Sequence, residues 1–311
     1  MSALPDTIRR PRRSMAALFA RRFVDHQLAM ASALLLLTLA LLALAAPLAE
    51  AVLGLNANAV DLAVRFQPAS LAHPLGTDEL GRDLFARLLY GGRVSLMVGI
   101  AAALASAVIG TIIGLGAGYY GGKLDAILMR LTDGVIALPL LPLLIVLAAV
   151  DLTKIGLSDA LARDPDVSLY RMVIIIALVS WTTVARLVRG AALSVREREF
   201  VLAATASGAG PMRIMLVHIL PNVVSPIIVA TTLSVGNVIL LESVLSFLGL
   251  GIQPPIASWG NMLTGAQELI WSAPQLVFWP GALIFLTVIA FNFLGDGLRD
   301  ALDPATQGRR E

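Results

Sequence analysis

Val195-Arg-Glu-Arg-Glu-Phe-Val-Leu-Ala-Ala-Thr-Ala-Ser-Gly-Ala-Gly-Pro-Met-Arg-Ile-Met-Leu-Val-His-Ile-Leu-Pro-Asn222 is the polar interruption between the fourth and fifth hydrophobic segments of this 311-residue chain. Residues 195–207 are helix formers with no Pro or Gly, which is enough for a short helix. Gly208 suits the left-handed conformation that ends a helix and Pro211 suits the first turn of the next, so residues 208–211 are expected to be a helix-turn-helix joint. A second short helix over 212–219 would then lead into a membrane span. The stretch predicts a compact helical knob between two membrane helices, with Arg196, Arg198 and Arg213 marking its side as cytoplasmic. Taken alone it reads equally well as an ordinary amphipathic loop helix, since helix-turn-helix joints are common.

Composition sets the knob in a membrane. With 58% hydrophobic and 14% charged residues and a mean hydropathy of +0.83, a water-soluble domain would have too little polar surface to cover its exterior. The formal charge of +2 arises from an uneven distribution and not from a basic face, so no nucleic-acid partner is expected. There is no cysteine, which excludes disulfides and thiolate chemistry. His26, His73 and His218 are too scattered to propose a metal site.

Upstream of the knob, residues 172–193 form the fourth span, with Arg186 and Arg189 near its cytoplasmic end. Residues 151–171 are an external loop. Residues 134–150 are a short third span containing Pro139 and Pro142, where proline frees backbone carbonyls and kinks the helix. Residues 123–133 are a short cytoplasmic turn. The second span, 94–119, carries Gly110, Gly114 and Gly118, and Gly122 continues the spacing of four, so a G-x-x-x-G face is expected to let another helix approach closely. Gly121-Gly122-Lys123 is not a phosphate loop, because the first Gly of that motif would be Ala117 and the residue after Lys123 is Leu124. This chain is therefore not expected to hydrolyse ATP. Residues 50–93 form a mixed-charge external segment whose Leu80, Leu84, Phe85 and Leu88 recur at helical spacing, which predicts an amphipathic surface helix. Within it, Asp78 and Asp83 with Arg82 and Arg87 read as solvated ion pairs. The run 28–49 is long enough to cross a bilayer, at about 20 residues for about 30 Å. It follows a basic cytoplasmic arm, residues 1–27. Ala43-Leu44-Ala45 mimics a signal-peptidase site, but the apolar run is too long for a signal peptide and is read as an uncleaved helix.

Downstream, residues 220–251 exceed one span. Counting about 20 residues from Leu220 puts Glu242 near the outer interface. As the one acid in an apolar run it is a functional candidate, and with Asn237 it is assigned to the substrate pathway. The competing reading is an interfacial helix-end carboxylate. Trp259 and Trp271 are expected as interface aromatics. Residues 276–294 are the sixth span, and the core 94–304 thus holds five spans with the coupling loop 195–222. Residues 305–311 form a cytoplasmic tail.

Several of these motifs carry a resemblance. Glu199-Phe200-Val201-Leu202-Ala203-Ala204, Gly208 and Ile219-Leu220-Pro221-Asn222 resemble the coupling loop of ABC importer permeases, with Leu202 at the position where that motif has its first acid. The pattern Gly76-Thr77-Asp78, Gly81-Arg82-Asp83 and Gly91-Gly92-Arg93-Val94-Ser95-Leu96 resembles the dipeptide, oligopeptide and nickel importer subclass. So do residues 248–260 and the run from Asn292 to Pro304, so that the resemblance covers residues 73–304. It implies an all-α membrane protein of the type I importer permease fold with six transmembrane helices. It also implies an ATPase-coupling role for Glu199, Ala203, Ala204, Gly208 and Pro221. The implied partners are a second homologous permease, two ATPase subunits and an external solute-binding protein, all gathered at the lipid bilayer. By the same resemblance no cofactor is expected on this chain, ATP and Mg being held on the partner ATPase.

Topology can be tested by counting. With both termini inside, 16 of the 23 Lys and Arg residues fall on the cytoplasmic side and 7 outside, as the positive-inside rule requires. The spans carry almost no mid-membrane ionisable residues of the kind secondary transporters use for ion coupling. An ATP-driven importer permease, with peptides as cargo, is therefore the expectation, and a self-contained transporter or channel for a small solute is the alternative.

Overall fold

The computed structural model describes residues 15–162 and 164–302. Arg9, Arg10, Arg12 and Arg13 of the basic arm, Arg163, and the terminal residues from Asp303 onward lie outside the described residues. Regular structure among the described residues is helical, apart from one antiparallel bridge between Thr77 and Asp83. In chain order the helices are α1 (Met15–Asp25), α2 (Gln27–Leu44), α3 (Ala46–Leu53), α4 (Leu84–Tyr120), α5 (Gly122–Ala137), α6 (Leu140–Ala148), α7 (Pro165–Arg196), α8 (Glu199–Ala206), α9 (Pro211–Phe247) and α10 (Gln275–Leu302), with single turns between some of them. Five of these, α2, α4, α7, α9 and α10, are long and apolar enough to cross a membrane. The bent pair of α5 and α6, which meet at 87°, makes a sixth when taken together as one broken span.

Local chemistry sets these boundaries and moves several from where the sequence alone puts them. The first span ends at Leu44. Pro47 lies in the first turn of α3, where its ring would crowd a carbonyl if the preceding helix ran on, so the chain breaks at Ala45. The expected surface helix before the second span is instead the first turns of one 37-residue helix, α4. The Asp83 carboxylate starts that helix by accepting from Ala86 N at 2.8 Å, satisfying an otherwise orphaned N–H. The irregular segment ahead of it therefore ends at residue 83. The expected cytoplasmic turn 123–133 is helical and belongs to α5. Leu138 is extended, with ψ 138°, as the residue before Pro139 must be, and the third span is divided there.

The expected short helix 212–219 likewise does not end before the fifth span. Residues Ile214–Ile219 wind as a π-helix and continue into the rest of α9. Pro221 cannot donate to the carbonyl of Val217 and would crowd it in the α register. The wider winding just before it lets the helix pass through the proline.

The stacked glycines bring α4 against α7 at backbone distance. A Cβ on Gly110 would lie 2.6 Å from the Trp181 carbonyl oxygen, one on Gly114 2.5 Å from that of Ala185, and one on Gly118 2.7 Å from the Ala192 Cβ. Only Gly fits such spacing. Gly122 does not join this face: it has open space around it and a φ of +57°, which serves the turn from α4 into α5. Helix α10 packs against both α9 and α2.

Asp78, Asp83 and Arg87 are buried and Arg82 is half-buried, against the expectation of solvated pairs. Asp78 accepts from Leu80 N, Arg82 N and Arg82 Nε at 2.9, 2.9 and 2.7 Å, and Arg87 Nε lies 3.4 Å away. Asp83 also meets His73 Nδ1 at 3.0 Å. Sequence spacing shows which charges are neighbours but not that the irregular segment 54–83 folds over them. Once it does, every lone pair of a buried carboxylate has to find a partner.

Candidate functional site

Two features stand out, a cavity between the spans and the knob at one end of them. The cavity holds about 1060 Å³ and is walled by α7, α9 and the elbow between α5 and α6. Its wall on α9 follows from helical period. Asn222, Ser225, Val229, Leu233 and Asn237 recur three or four apart and so share one face. From α7 come Ser180, Thr182 and Thr183, among aliphatic neighbours such as Val179 and Leu187. Arg299, near the end of α10, is the one charged residue among the described lining residues, and it stands with Asn222 toward the knob. The surface is thus apolar with neutral hydrogen-bonding groups set into it. Away from Arg299 it can accept and donate to amides and carbonyls through neutral groups.

Asn237, assigned to the pathway from sequence, lines this cavity. Glu242 does not. The lining on α9 reaches Leu241, and the next residue is fully enclosed in the protein, near the end of α9 that lies away from the knob. Trp259, expected as an interface aromatic, is also buried, its Nε1 donating to the Leu88 carbonyl at 2.9 Å. Trp271 is 91% exposed.

At the knob, α8 carries Glu199 in its first turn and ends at Gly208 with a φ of +83°, the left-handed conformation that its sequence anticipates. The Ala209 N–H donates back to the Ala204 carbonyl at 3.1 Å, closing the turn. The helix is anchored by Val201, which is buried against Val188 and Ala192 of α7 and Ile214 and Ile219 of α9. Glu199, Ala203 and Pro221 are exposed, and Ala204 is half-buried. Sequence reading had singled out these small and acidic positions but missed the apolar ones. Phe200, Leu202, Met212, Leu216 and Val217 are all exposed large hydrophobics at the same end. The signal was present in Leu202, an apolar residue on a short polar-flanked helix, and a cluster of such residues is the usual mark of a protein-binding surface.

Arginines near the knob end of α7 tie that helix to its neighbours. Arg189 makes a two-pronged bond to Asp125, at 2.5 and 2.6 Å, joining α7 to α5. Arg196 donates to the carbonyls of Tyr119 at 2.9 Å and Gly118 at 3.3 Å, filling acceptors left open at the end of α4.

Comparison with known proteins agrees with this geometry. Residues 110–308 match the family described as binding-protein-dependent transport system inner membrane component. Among curated relatives, the chain is 41% identical over 284 residues to the dipeptide transport system permease protein DppC of Alkalihalophilus pseudofirmus, covering 91% of this chain and 88% of the relative. It is 41% identical over 303 residues to the protein of that name from Bacillus subtilis, covering 96% and 88%. Against the nickel transport system permease protein NikC of Escherichia coli it is 40% identical over 271 residues, covering 87% and 93%.

Proposed function

The chain belongs to the family of binding-protein-dependent transport system inner membrane components and is a multi-pass permease subunit of an ABC importer, and from that premise we propose that it forms half of a translocation pathway for peptides. The observation that carries the cargo class is the cavity wall. Asn237, Ser234, Ser225, Thr183 and Ser180 offer neutral donors and acceptors on an aliphatic surface, which suits the repeating amide groups of a short peptide whatever its side chains. The described lining residues include no Asp, Glu or His, so a bare nickel ion would find none of the ligands it favours there.

In this reading the knob is cytoplasmic and both termini are inside, in accord with the bias of 16 basic residues to 7 and the positive-inside rule. Two separate ATPase subunits carry the ATP and Mg. One docks on the exposed face of α8 and the start of α9, with Glu199, Ala203, Ala204 and Gly208 shaping that face and Pro221 shaping the helix behind it. Leu202 gives the docking face an apolar contact where the related motif has an acid. A second, homologous permease completes the pathway, and an external solute-binding protein delivers the cargo. ATP-driven closure of the ATPases rocks the helices between inward-open and outward-open states.

The first test is purification of tagged chain from its own membranes in mild detergent. A second permease and one or two ATPases are expected to come with it; recovery of this chain alone, under conditions that hold other membrane complexes together, would sink the assembly. The cargo pathway is tested by Asn237→Leu. An unmet amide hydrogen bond costs about 1–3 kcal/mol, so apparent peptide affinity in reconstituted vesicles should fall by roughly five- to a hundredfold. Unchanged peptide uptake would remove Asn237 from the pathway.

A further inference from the structure

Glu242 is fully enclosed near the end of α9 that lies away from the knob. Among the described residues no Lys, Arg or His lies within ion-pair distance of it. What surrounds it is serine. Ser246 Oγ, one turn on, and Ser258 Oγ, in the following segment, both donate to Oε1, at 2.7 and 2.9 Å. Ser95 Oγ on α4 donates to Oε2 at a longer 3.4 Å.

Each hydroxyl is also an acceptor, and in every case from the same stretch of backbone. Ile252 N donates to Ser246 Oγ at 3.2 Å, Asn261 N to Ser258 Oγ at 3.1 Å and Trp259 N to Ser95 Oγ at 3.1 Å. A backbone N–H can only donate, so each hydroxyl keeps its oxygen for the segment and turns its own proton to the carboxyl group. Three points of the segment 249–264 thus hang, through three hydroxyls, on one side chain. Gly260 permits the close approach: a Cβ there would lie 3.2 Å from Glu242 Oε1 and 2.6 Å from Ser243 Cα. The rest of the segment reaches across the same end of the bundle, with Gln253 N donating to Ser168 Oγ at the start of α7 and Trp259 set against Leu88 of α4. The cavity lining on α9 stops at Leu241, one residue short of this arrangement.

Resting on the importer reading above, we infer that Glu242 is a positioning residue for transport, acting as a hydrogen-bond acceptor and not as a charge, which holds the segment 249–264 closed over the end of the bundle where cargo is admitted. A residue that bound cargo or carried a coupling proton would need to reach the cavity, and Glu242 does not line it. The two short bonds converge on Oε1, so that oxygen carries two of the three links and Oε2 the longer third.

The test separates acceptor from charge. Glu242→Gln keeps a carbonyl oxygen for Ser246 and Ser258 and turns its NH2 to the more distant Ser95, whereas Glu242→Leu removes the acceptor. In proteoliposomes containing the whole complex, uptake is followed while the cargo-loaded external receptor is titrated. Glu242→Gln should stay within about twofold of the unsubstituted complex, and Glu242→Leu should raise the half-saturating receptor concentration by about tenfold or more, as expected for lost buried bonds. A second readout needs no transport. The chain has no cysteine and Ala257 is buried, so Ala257→Cys should resist a membrane-impermeant maleimide alone and with Glu242→Gln, and react when combined with Glu242→Leu. Should the Leu variant fail to assemble, Ser258→Ala cuts the same linkage from the segment's side and should expose the reporter. Glu242→Gln behaving like Glu242→Leu would overturn the acceptor role, and a reporter that stays protected in both Glu242→Leu and Ser258→Ala would overturn the positioning role. Absence of receptor-dependent uptake in the unsubstituted complex would instead overturn the importer reading, on which the labelling pattern does not depend.

Discussion

Gly114→Ala should sharply reduce the amount of folded permease recovered from membranes, while Gly116→Ala, two residues along the same helix, should leave it unchanged or slightly raised. By intrinsic propensity alone both changes favour a helix, by roughly 1 kcal/mol each. Tertiary structure reverses the sign at one of them. The added methyl at 114 would sit 2.5 Å from the Ala185 carbonyl oxygen and 2.8 Å from the Val188 Cβ, and backbone cannot step aside as a flexible side chain can. At 116 it meets nothing within 4 Å. Overpacking of a close-packed contact costs about 1–3 kcal/mol for each insertion, and Gly110→Ala combined with Gly114→Ala should force α4 and α7 apart at two successive levels. Thermal stability of the detergent-purified protein is the measurement. Equal stability of the Gly114→Ala and Gly116→Ala variants would show that the two helices do not meet along this face.

Ala203→Arg should insert into the membrane normally and abolish uptake. Ala203 is exposed on α8, so the substitution costs the isolated chain little, while a guanidinium placed in the centre of a docking face would have to be buried without a partner. Loss of ATPase on co-purification, with the second permease retained, is the expected signature. Gly208→Val should act on the same face by another route. Its surroundings are open, but its φ of +83° costs an L-residue about 1–2 kcal/mol, and a β-branched one more, so the turn between α8 and α9 should re-form differently. Ordinary ATPase association and uptake in both variants would remove the coupling role from the knob. The apolar cluster around Phe200 and Met212 would then need another partner.

How far the site could be read from sequence depended on whether its meaning was local. Gly208 and Pro211 announce a turn because glycine tolerates positive φ and proline a helix start, and the structure has that turn where the residues place it. Asn237 could be placed on α9 but not on a wall, since a cavity exists only where three elements fail to fill the space between them. The enclosure of Glu242 was hidden for the same reason. Counting residues along a helix gives depth in a membrane and is silent on what lies alongside, and the serines that enclose it come from positions 95 and 258 as well as from its own helix.

The sequence by itself determined a multi-span α-helical membrane protein, its knob, its glycine face and its family, because composition, period and turn residues act over a few neighbours or over the chain as a whole. Only the tertiary structure decided that α5 and α6 meet at 87°, that Asp78, Asp83 and Arg87 are buried, that Gly122 turns the chain while Gly110, Gly114 and Gly118 pack it, and that Glu242 serves a polar clamp beyond the cavity. Each of these depends on which distant segment comes to lie against a residue. Close packing and the need of every buried polar group for a partner settle that choice, and neither acts until the chain has folded.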